Sequence, residues 1–435
     1  MDLPKRLRLW GIGGVGMSAL AQHLHRRGHI LTGYDREPSP LTELLFERGI
    51  PIDFQPNPSR LEQTEGIIYT PAIPRDFPEW EEVRRRGLPT WRRAEALSAC
   101  VAPYSVIAVA GAHGKTTTSA ILSWLLHAVG ASPTAFVGGI MRNFSSTYVA
   151  GESDWAVVEA DEYDRAFHLL QPIHAILQSV DPDHLEVYGS AEGVLEAYRV
   201  FLSQVKDLCV GPERLPDLGR RILRYELIDY SAEKGEITFS YRWAGGKRTA
   251  VWYQLGHHYA ENASAALTLL EALGYGVAPL LEALTEFQGV HRRMETYPVS
   301  DKYWVVSDYA HHPTEIRATI QSIRSIFPDK QLVVFFQPHL YSRTAFFAKE
   351  FAEALSAADR VVLFPIYAAR EPSTPHVTSK LISQHICVPV YEVVTLNLSM
   401  QEFSTILPSH PAVILVLGAG DIYQLVPFIL EYLAK

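Results

Sequence analysis

The chain has 435 residues, too many for one hydrophobic core, so two or three domains are expected. Hydrophobic residues make up 47% of it, but no apolar run approaches the roughly 20 residues that a membrane helix needs, which argues against membrane insertion. With 39 basic and 48 acidic residues the net charge is −9, which argues against a general nucleic-acid binder because such proteins neutralise phosphates with Lys and Arg.

The N-terminal segment and the cysteines predict a cytoplasmic protein. The opening MDLPKRLRLWGIGG passes from two basic residues directly into a strand pattern, without the apolar core and cleavage site of a signal peptide. The three cysteines, Cys100, Cys209 and Cys387, lie far apart and form neither a CxxC pair nor an even disulfide set. We therefore expect reduced, mostly structural thiols.

The first hundred residues begin with a βαβ pattern. Residues 7–10 and 30–34 predict strands around a helix from Gly16 to Arg27. GIGGVG follows the first strand and matches G-x-G-x-x-G, with Asp35 at the end of the next strand. This motif holds a diphosphate on a helix N-terminus, which a dinucleotide and a UDP-linked compound both supply, so both ligands stay open. The candidate contacts are Gly11, Gly13, Gly14, Gly16 and Asp35.

A second glycine-rich turn lies in VIAVAGAHGKTTTSAILSWLL, residues 106–126, between a predicted strand and a predicted helix. Its backbone N–H groups and Lys115 would hold the β- and γ-phosphates of a nucleotide, and the Thr116 hydroxyl a Mg²⁺. The spacing departs from the standard P-loop, because Gly111 precedes Gly114 by three residues and not five. The candidate nucleotide contacts are Gly111, Ala112, His113, Gly114, Lys115, Thr116 and Thr117.

Acidic residues follow the next predicted strand. VVEADEYDRAF places four carboxylates within six positions, which favours a cation nearby, although an acidic surface loop capped by Arg165 is the alternative. Further on, SVDPDHLEVYG places Asp183 and His184 at the end of a strand predicted at residues 174–177, where open α/β sheets bind ligands. The four clustered carboxylates are Glu159, Asp161, Glu162 and Asp164.

The last third predicts a further α/β unit. Residues 236–255 alternate like antiparallel strands, and HHYAENASAALTLLEALGYG has helical spacing with a stop at Gly274. Helical segments then separate strand-like runs, which favours a mostly parallel sheet. Two loops, SDYAHHPTE and FQPHLYSRT, each follow a strand and suggest one cleft lined from both sides. The runs are 304–306, 332–336, 360–364, 388–394 and 413–417.

These motifs, together with NASAAL and FQGVHRRME, occur in an order that resembles the Mur ligases over nearly the whole chain, and among them the alanine-adding branch. The resemblance implies an α/β fold of three domains. These are a Rossmann-like UDP-substrate domain (1–103), a central P-loop ATPase domain (104–291) and a C-terminal Rossmann-like amino-acid domain (292–435).

The resemblance also implies the reaction. ATP would phosphorylate the lactyl carboxylate of UDP-N-acetylmuramate, and L-alanine would attack the acyl phosphate, in peptidoglycan precursor synthesis. It implies one Mg²⁺ on Thr116 and Glu159 and a second Mg²⁺ near His184, and for assembly we expect a monomer or a weak homodimer. Lys115, Glu159, His184, Arg293, His339 and Arg343 would be catalytic. Asn262, Arg293 and Asp308 would contact the nucleotide, and the amino acid would meet Tyr309, His311, His339 and Arg343.

Some positions depart from the family pattern and keep alternatives open. The family usually has threonine at Ala112, asparagine at Tyr259 and a basic residue at Leu340 or Ala345, and a lysine near Tyr198 that many relatives carbamylate is missing. A catalytically idle nucleotide-binding relative is therefore one alternative. Another is the recycling ligase that adds a tripeptide to the same UDP-sugar, which carries an arginine-serine-asparagine loop in place of QPHLYSRT. A third, an NAD enzyme, rests on GIGGVG and Asp35 alone.

Overall fold

The computed structural model describes residues 3–182, 185–233, 236–369, 371–372, 374, 376–408 and 410–434. It forms two compact units, Met1–Asp229 with Phe239–Ala250 and Ala260–Val290, and Tyr230–Thr238 with Val251–Tyr259 and His291–Lys435. The described part of the chain contains no helix long and apolar enough to cross a membrane.

The N-terminal sheet has the order β3-β2-β1-β4-β5, and its strands pair in parallel. The chain adds β2 and β3 on one side of β1 and then β4 and β5 on the other side. The carboxyl end of β1 therefore lies at the crevice where such sheets bind ligands. The strands are β1 (Arg6–Trp10), β2 (Ile30–Tyr34), β3 (Ile52–Asp53), β4 (Gly66–Tyr69) and β5 (Thr90–Arg92). The helices are α1 (Val15–Arg26), α2 (Pro40–Glu47), α3 (Glu79–Arg86) and α4 (Arg93–Val101), with a 3-10 helix at Pro58–Gln63.

A buried ion pair lies in the core of this sheet. The guanidinium of Arg8 on β1 is fully buried and donates to both carboxylate oxygens of Glu79, each at 2.7 Å. Trp10 Nε1 donates to the same carboxylate at 2.8 Å, and Asp53 pairs with Arg8 at 2.9 Å. Because every charge here has a partner, Arg8 is fixed as a core residue although it lies near the first glycine loop.

The central sheet has the order β14-β13-β12-β11-β10-β6-β9-β7-β8. Strand β6, which precedes the second glycine turn, lies between β10 and β9 and is parallel to both. Strands β13 and β14 are neighbours joined by two residues, a connection that antiparallel strands allow, as predicted. The strands are β6 (Ser105–Ala110), β7 (Thr134–Met141), β8 (Ser146–Val149), β9 (Trp155–Glu159), β10 (His174–Leu177), β11 (Cys209–Pro212), β12 (Leu223–Glu233), β13 (Glu236–Trp243) and β14 (Gly246–Trp252). The helices are α5 (Lys115–Ala128), α6 (Leu185–Tyr188), α7 (Ala191–Gln204), α8 (His257–Ala272) and α9 (Val277–Thr285), with a 3-10 helix at Tyr163–Leu169.

Helix α1, which follows the first glycine loop, packs on strands β7 and β8. Ser146 Oγ donates to Gln22 Oε1 at 2.9 Å, and His23 Nδ1 lies 3.1 Å from the Tyr148 hydroxyl. His23 is buried, and burial together with the nearby charge of Arg27 lowers its pKa to about 4. A neutral imidazole therefore anchors the first loop's helix to the central sheet.

The C-terminal sheet has the order β15-β16-β20-β17-β18-β19, parallel except for the antiparallel edge strand β15. Asp308, Phe336 and Leu417 end three adjacent strands in register, so the two predicted cleft loops leave from one edge. The strands are β15 (Glu295–Pro298), β16 (Tyr303–Asp308), β17 (Gln331–Phe336), β18 (Arg360–Leu363), β19 (Val390–Glu392) and β20 (Ala412–Leu417). The helices are α10 (Pro313–Ile326), α11 (Tyr341–Phe346), α12 (Ala348–Leu355), α13 (Lys380–Ser383), α14 (Met400–Ile406) and α15 (Leu425–Leu433), with a 3-10 helix at Ile422–Gln424.

Candidate active site

The second glycine turn connects β6 to α5 with a backbone that requires glycine. Gly111 and Gly114 have φ angles of +135° and +80°, and a methyl group added at Gly111 would lie 2.8 Å from the backbone nitrogen of Ser179. Gly114 is the N-cap of α5 and no side chain caps that helix end. The first N–H groups of α5 therefore face an opening at a helix N-terminus, the geometry that binds phosphate.

Lys115 lies over this turn and is held by carbonyl and carboxylate oxygens. Its Nζ donates to the Gly111 carbonyl at 2.7 Å and pairs with Glu162 at 2.7 Å, and both side chains are largely buried. Burial acts to lower the pKa of Lys115, but the charges of Glu162 and Asp161 outweigh it, so the pKa is raised. Lys115 is therefore protonated at neutral pH and paired with Glu162.

Thr116 and Glu159 meet beside the turn. The Thr116 hydroxyl donates to Glu159 Oε1 at 3.0 Å, while Glu159 Oε2 accepts from Gly138 N at 2.7 Å. A methyl group at Gly138 would lie 2.5 Å from that carboxylate, so Gly138 is needed for its approach. A hydroxyl and a carboxylate next to a phosphate site fit Mg²⁺, which takes few protein ligands and completes its shell with phosphates and water.

His184, which is predicted to lie near a second Mg²⁺, falls with Asp183 outside the described residues. Within the described residues, no group of three or more His, Cys, Asp or Glu side chains is arranged to hold a metal ion. Thr116 and Glu159 are accordingly the two predicted ligands that lie in contact in the described structure. The surface-loop alternative for the acidic segment is wrong for Glu162, which is buried, and Arg165 lies over the Tyr188 ring.

The first glycine loop has a different set of partners. Gly11 has a φ of +78°, and Gly13 N donates to Asp35 Oδ2 at 2.7 Å. At its far end, a methyl group on Gly16 would lie 2.8 Å from Nη1 of Arg93, the first residue of α4. Arg93 Nη2 in turn pairs with Asp161 Oδ2 at 3.2 Å. An arginine from a distant part of the chain therefore supplies the positive charge next to this loop.

Asn262, the predicted adenine contact, is buried on α8 against the second turn. A methyl group at Gly114 would lie 2.5 Å from its Oδ1. Tyr259, which stands where the family has asparagine, is buried in the other unit and donates its hydroxyl to the Arg293 carbonyl. The departure at Tyr259 thus adds a contact to the loop that carries Arg293.

That arginine loop is tied to the end of β16. Asp308 Oδ2 accepts from Met294 N at 2.7 Å, and burial raises the pKa of Asp308 although Arg293 opposes the shift. The Tyr309 ring lies between two guanidinium groups, 4.9 Å from Arg292 and 5.0 Å from Arg293. Asp308 and Tyr309 therefore position Arg293 by a hydrogen bond to its loop and a cation–π contact.

The two predicted cleft loops meet in the C-terminal unit. The His311 and His339 rings lie 5.7 Å apart, and His339 stacks on Tyr367. Burial lowers the pKa of His311, with Glu315 opposing and Arg343 adding to the shift, so His311 is neutral at neutral pH. Arg343 Nη1 is buried and has no hydrogen-bond partner within the described residues, which suits a carboxylate ligand.

Several predicted residues thus lie together as one group in each unit, while the first glycine loop has its own contacts with Asp35. Sequence reasoning missed Arg93 and did not distinguish Glu162 from its neighbours. It also missed Arg292, whose Nη2 donates to the Gly418 and Gly420 carbonyls, and Tyr367. The first group contains Lys115, Thr116, Glu159 and Asn262, and the second contains Arg293, Asp308, Tyr309, His311 and His339.

Comparison with known proteins agrees with this arrangement. Residues 7–105 match the catalytic-domain model of the Mur ligase family, residues 109–211 the Mur ligase middle domain, and residues 292–420 the glutamate ligase domain of Mur ligases. The UDP-N-acetylmuramate–L-alanine ligase of Porphyromonas gingivalis is 39% identical over 99% of both chains, and that of Flavobacterium johnsoniae is 38% identical over 97% of this chain and 96% of its own.

Solved structures show the same relationship. The UDP-N-acetylmuramate-alanine ligase of Thermotoga maritima superposes with a TM-score of 0.85 at 31% identity, over 98% of this chain and 99% of its own. A murein peptide ligase of Psychrobacter arcticus, 21% identical over 99% of both chains, shares the fold with a TM-score of 0.72. The predicted three-part α/β fold is confirmed, and the chain belongs to the Mur ligase family.

Proposed function

We propose that the protein joins L-alanine to UDP-N-acetylmuramate and converts ATP to ADP and phosphate. The relatives that are 34–39% identical over nearly the whole chain are named for this reaction. The observation that carries the proposal is the second glycine turn, where Lys115 and the Thr116–Glu159 pair converge at a helix N-terminus. The same residues make a catalytically idle relative the weaker hypothesis.

In the first step a carboxylate oxygen of the sugar's lactyl group attacks the γ-phosphorus of ATP. The bond to the β–γ bridging oxygen breaks, ADP leaves and an acyl phosphate forms. Two anions must approach each other, so fixed positive charge has to dominate. Lys115 supplies one such charge, and Thr116 and Glu159 would hold a Mg²⁺ that neutralises the phosphates.

In the second step the alanine nitrogen attacks the acyl carbon. The C–N bond forms, the C–O bond to phosphate breaks, and the nitrogen loses a proton. The guanidinium of Arg343, with its buried Nη1, suits the alanine carboxylate, and the neutral His311 suits a proton acceptor close to the amine. Arg293, carried on a loop that Asp308 holds, would approach the nucleotide phosphates.

The remaining assignments stay predictions. Domain limits at residues 103 and 291 are supported by the three family-model matches, whose edges fall near them. Asn262 is proposed for adenine, the first loop with Asp35 for the UDP-sugar, and His184 for a second Mg²⁺. A cytoplasmic monomer or weak homodimer remains the expected form.

Phosphate release tests the proposal. The protein is incubated with ATP, Mg²⁺ and UDP-N-acetylmuramate, and either L-alanine or the murein tripeptide is added. We expect turnover to depend on alanine and to yield the alanyl amide, identified by mass. Faster turnover with the tripeptide would assign the protein to the recycling branch, and tight UDP-sugar binding without amide formation would show an idle relative. A change in nicotinamide absorbance would support the NAD alternative.

A further inference from the structure

Two consecutive carboxylates after β9 each hold a cation next to a different glycine loop. Asp161 pairs with Arg93 at 3.2 Å, and Glu162 pairs with Lys115 at 2.7 Å. Lys115 belongs to the second loop, and the Arg93 guanidinium lies against Gly16 at the end of the first. A single peptide bond therefore connects the groups that neutralise the two loops' cations.

The Arg93–Asp161 ion pair is open to solvent. The Arg93 side chain is 24% exposed and that of Asp161 38%, whereas Arg8, on the neighbouring strand β1, is fully buried in its ion pair with Glu79. Asp161 is fixed, because its Oδ1 accepts from Tyr163 N at 3.0 Å and its carbonyl accepts from Phe167 N at 2.9 Å. A ligand at the first loop can therefore reach Arg93 and draw it away from Asp161.

The surroundings of Arg93 make such a move consequential. Arg93 lines a recess together with Glu159 and Asp161, above apolar side chains that include Leu97 and Phe167. It is the basic residue among those that line this recess in the described part of the chain. When Arg93 leaves, the negative charge of the acidic segment loses its compensation on this side.

From these contacts we infer that Arg93 is a positioning residue shared by the two nucleotide sites, an inference that rests on the proposed function. In this structure Arg93 neutralises Asp161. The diphosphate of the UDP-sugar offers charged oxygens to the same guanidinium, which binds phosphate through two parallel hydrogen bonds. Arg93 exchanges Asp161 for the diphosphate, and occupancy of the first loop thereby changes the charge beside the second.

The charge of Asp161 determines whether the UDP-sugar strengthens or weakens Mg–ATP binding. Asp161, once released, adds an uncompensated carboxylate two residues from Glu159, where the magnesium ion of Mg–ATP is expected. The UDP-sugar therefore strengthens Mg–ATP binding, and by thermodynamic linkage Mg–ATP strengthens UDP-sugar binding by the same factor.

Calorimetric titration of the full chain measures this coupling. The Kd of a non-hydrolysable ATP analogue with Mg²⁺ is determined with and without saturating UDP-N-acetylmuramate. We expect the sugar to lower this Kd about fivefold in the unaltered protein. The ratio of the Kd without the sugar to the Kd with the sugar should fall to about one in Arg93→Gln and in Asp161→Asn. The double variant should show the same ratio as either single variant, because the two residues act as a pair.

Measurement of UDP-sugar binding distinguishes the role of Arg93 from that of its neighbour Arg92. Arg93→Gln should weaken UDP-sugar binding at least about tenfold, and Arg93→Lys should retain part of the affinity because it keeps the charge but not the bidentate geometry. Arg92→Gln is the matched control, since Arg92 is 41% exposed and pairs with Glu95 within the first turn of α4. Thermal unfolding of each variant checks that α4 remains folded.

Two results overturn the inference. One is an Arg93→Gln variant with unaltered UDP-sugar affinity and coupling, and the other is a ratio near one in the unaltered protein. Both are binding results, so they are distinguishable from failure of the proposed function. A protein that couples the sites yet forms no alanyl amide refutes only the proposed reaction.

Discussion

The two glycine loops of the first unit obtain their positive charge in different ways. The second loop carries its own cation, because Lys115 follows Gly114 directly and lies over the turn's carbonyls. The first loop has no cation in its motif and relies on Arg93, which follows Gly16 by 77 residues. A cation inside the motif is fixed by local geometry, whereas one from another helix depends on how the domain packs.

The loops also differ in how their acidic partners act. In the first loop the Asp35 carboxylate accepts from the loop's own backbone, at Gly13 N, and so shapes the loop. In the second loop Glu162 pairs with the lysine side chain and so sets where the charge lies. A substitution in the first loop should therefore act through backbone shape, and one in the second through charge.

Lys115→Ala gives the largest expected effect. Removing the fixed charge at the second loop should lower kcat by about 10³-fold, the size of effect seen when one stabilising group is lost from a charged transition state. UDP-sugar binding, measured by calorimetry, should be unchanged because that charge serves the other loop. Lys247→Ala is the control, since Lys247 is an exposed lysine of the same unit. A variant with near-normal turnover would show that the second loop does not need its own cation.

Acidification should weaken the anchoring of the helix that follows the first loop. His23 anchors α1 to β8 with a pKa near 4, against an ordinary value of 6.5. The unfolded chain binds a proton between these values that the folded chain does not, so stability is full above pH 6.5 and falls by about 3 kcal/mol as the pH drops towards 4.

Urea unfolding across this pH range checks the expectation. His23→Gln should flatten the pH dependence, while His25→Gln, an exposed histidine of the same helix, should leave it unchanged. An unaltered pH profile in His23→Gln would move the source of acid sensitivity elsewhere in the chain.

A third cation, in the second unit, extends the comparison. Like Arg93, Arg343 lies outside any glycine motif, but its Nη1 is buried without a partner in the described residues. Arg343→Ala should raise the KM for L-alanine by about 100-fold, because a buried charge pair with the carboxylate is lost. Arg317→Ala, at an arginine 44% exposed in the same unit, is the control. Equal increases of the KM for L-alanine in Arg343→Ala and Arg317→Ala would contradict the role of Arg343 in binding the alanine carboxylate.

What the sequence could predict follows the same division between local and distant contacts. The strands at Ser105–Ala110 and Ala412–Leu417 are continuous apolar runs, and the nucleotide turn is defined by neighbours in sequence, so both were predicted correctly. The Arg93–Asp161 pair joins residues 68 positions apart, and no local pattern indicates it. Sequence also could not rank the carboxylates of VVEADEYDRAF, because Glu162 differs from Glu159 and Asp161 in its burial and in its ion pair with Lys115.

Strand β7 shows why one element was missed. Its sequence, TAFVGGIM, contains two glycines that weaken a strand pattern. The structure gives a physical reason for the first of them, since Gly138 lets the Glu159 carboxylate approach the backbone within hydrogen-bond distance. The glycine that this contact with Glu159 requires is thus the residue that weakens the strand pattern of β7.

The smallest expected effects come from one methyl group in each loop, and they test whether the loops are separable. Gly114→Ala places alanine at a φ of +80° with its methyl 2.5 Å from Asn262 Oδ1, so the KM for ATP should rise about tenfold. Gly13→Ala would bring a methyl within 2.9 Å of Asp35 Oδ2 and 2.7 Å of Thr42 Cγ2, so the KM for the UDP-sugar should rise by about as much. Steady-state kinetics with each substrate varied in turn measures both. If either variant raised both KM values equally, the loops would not serve separate nucleotides, because each added methyl collides with side chains that lie beside its own loop.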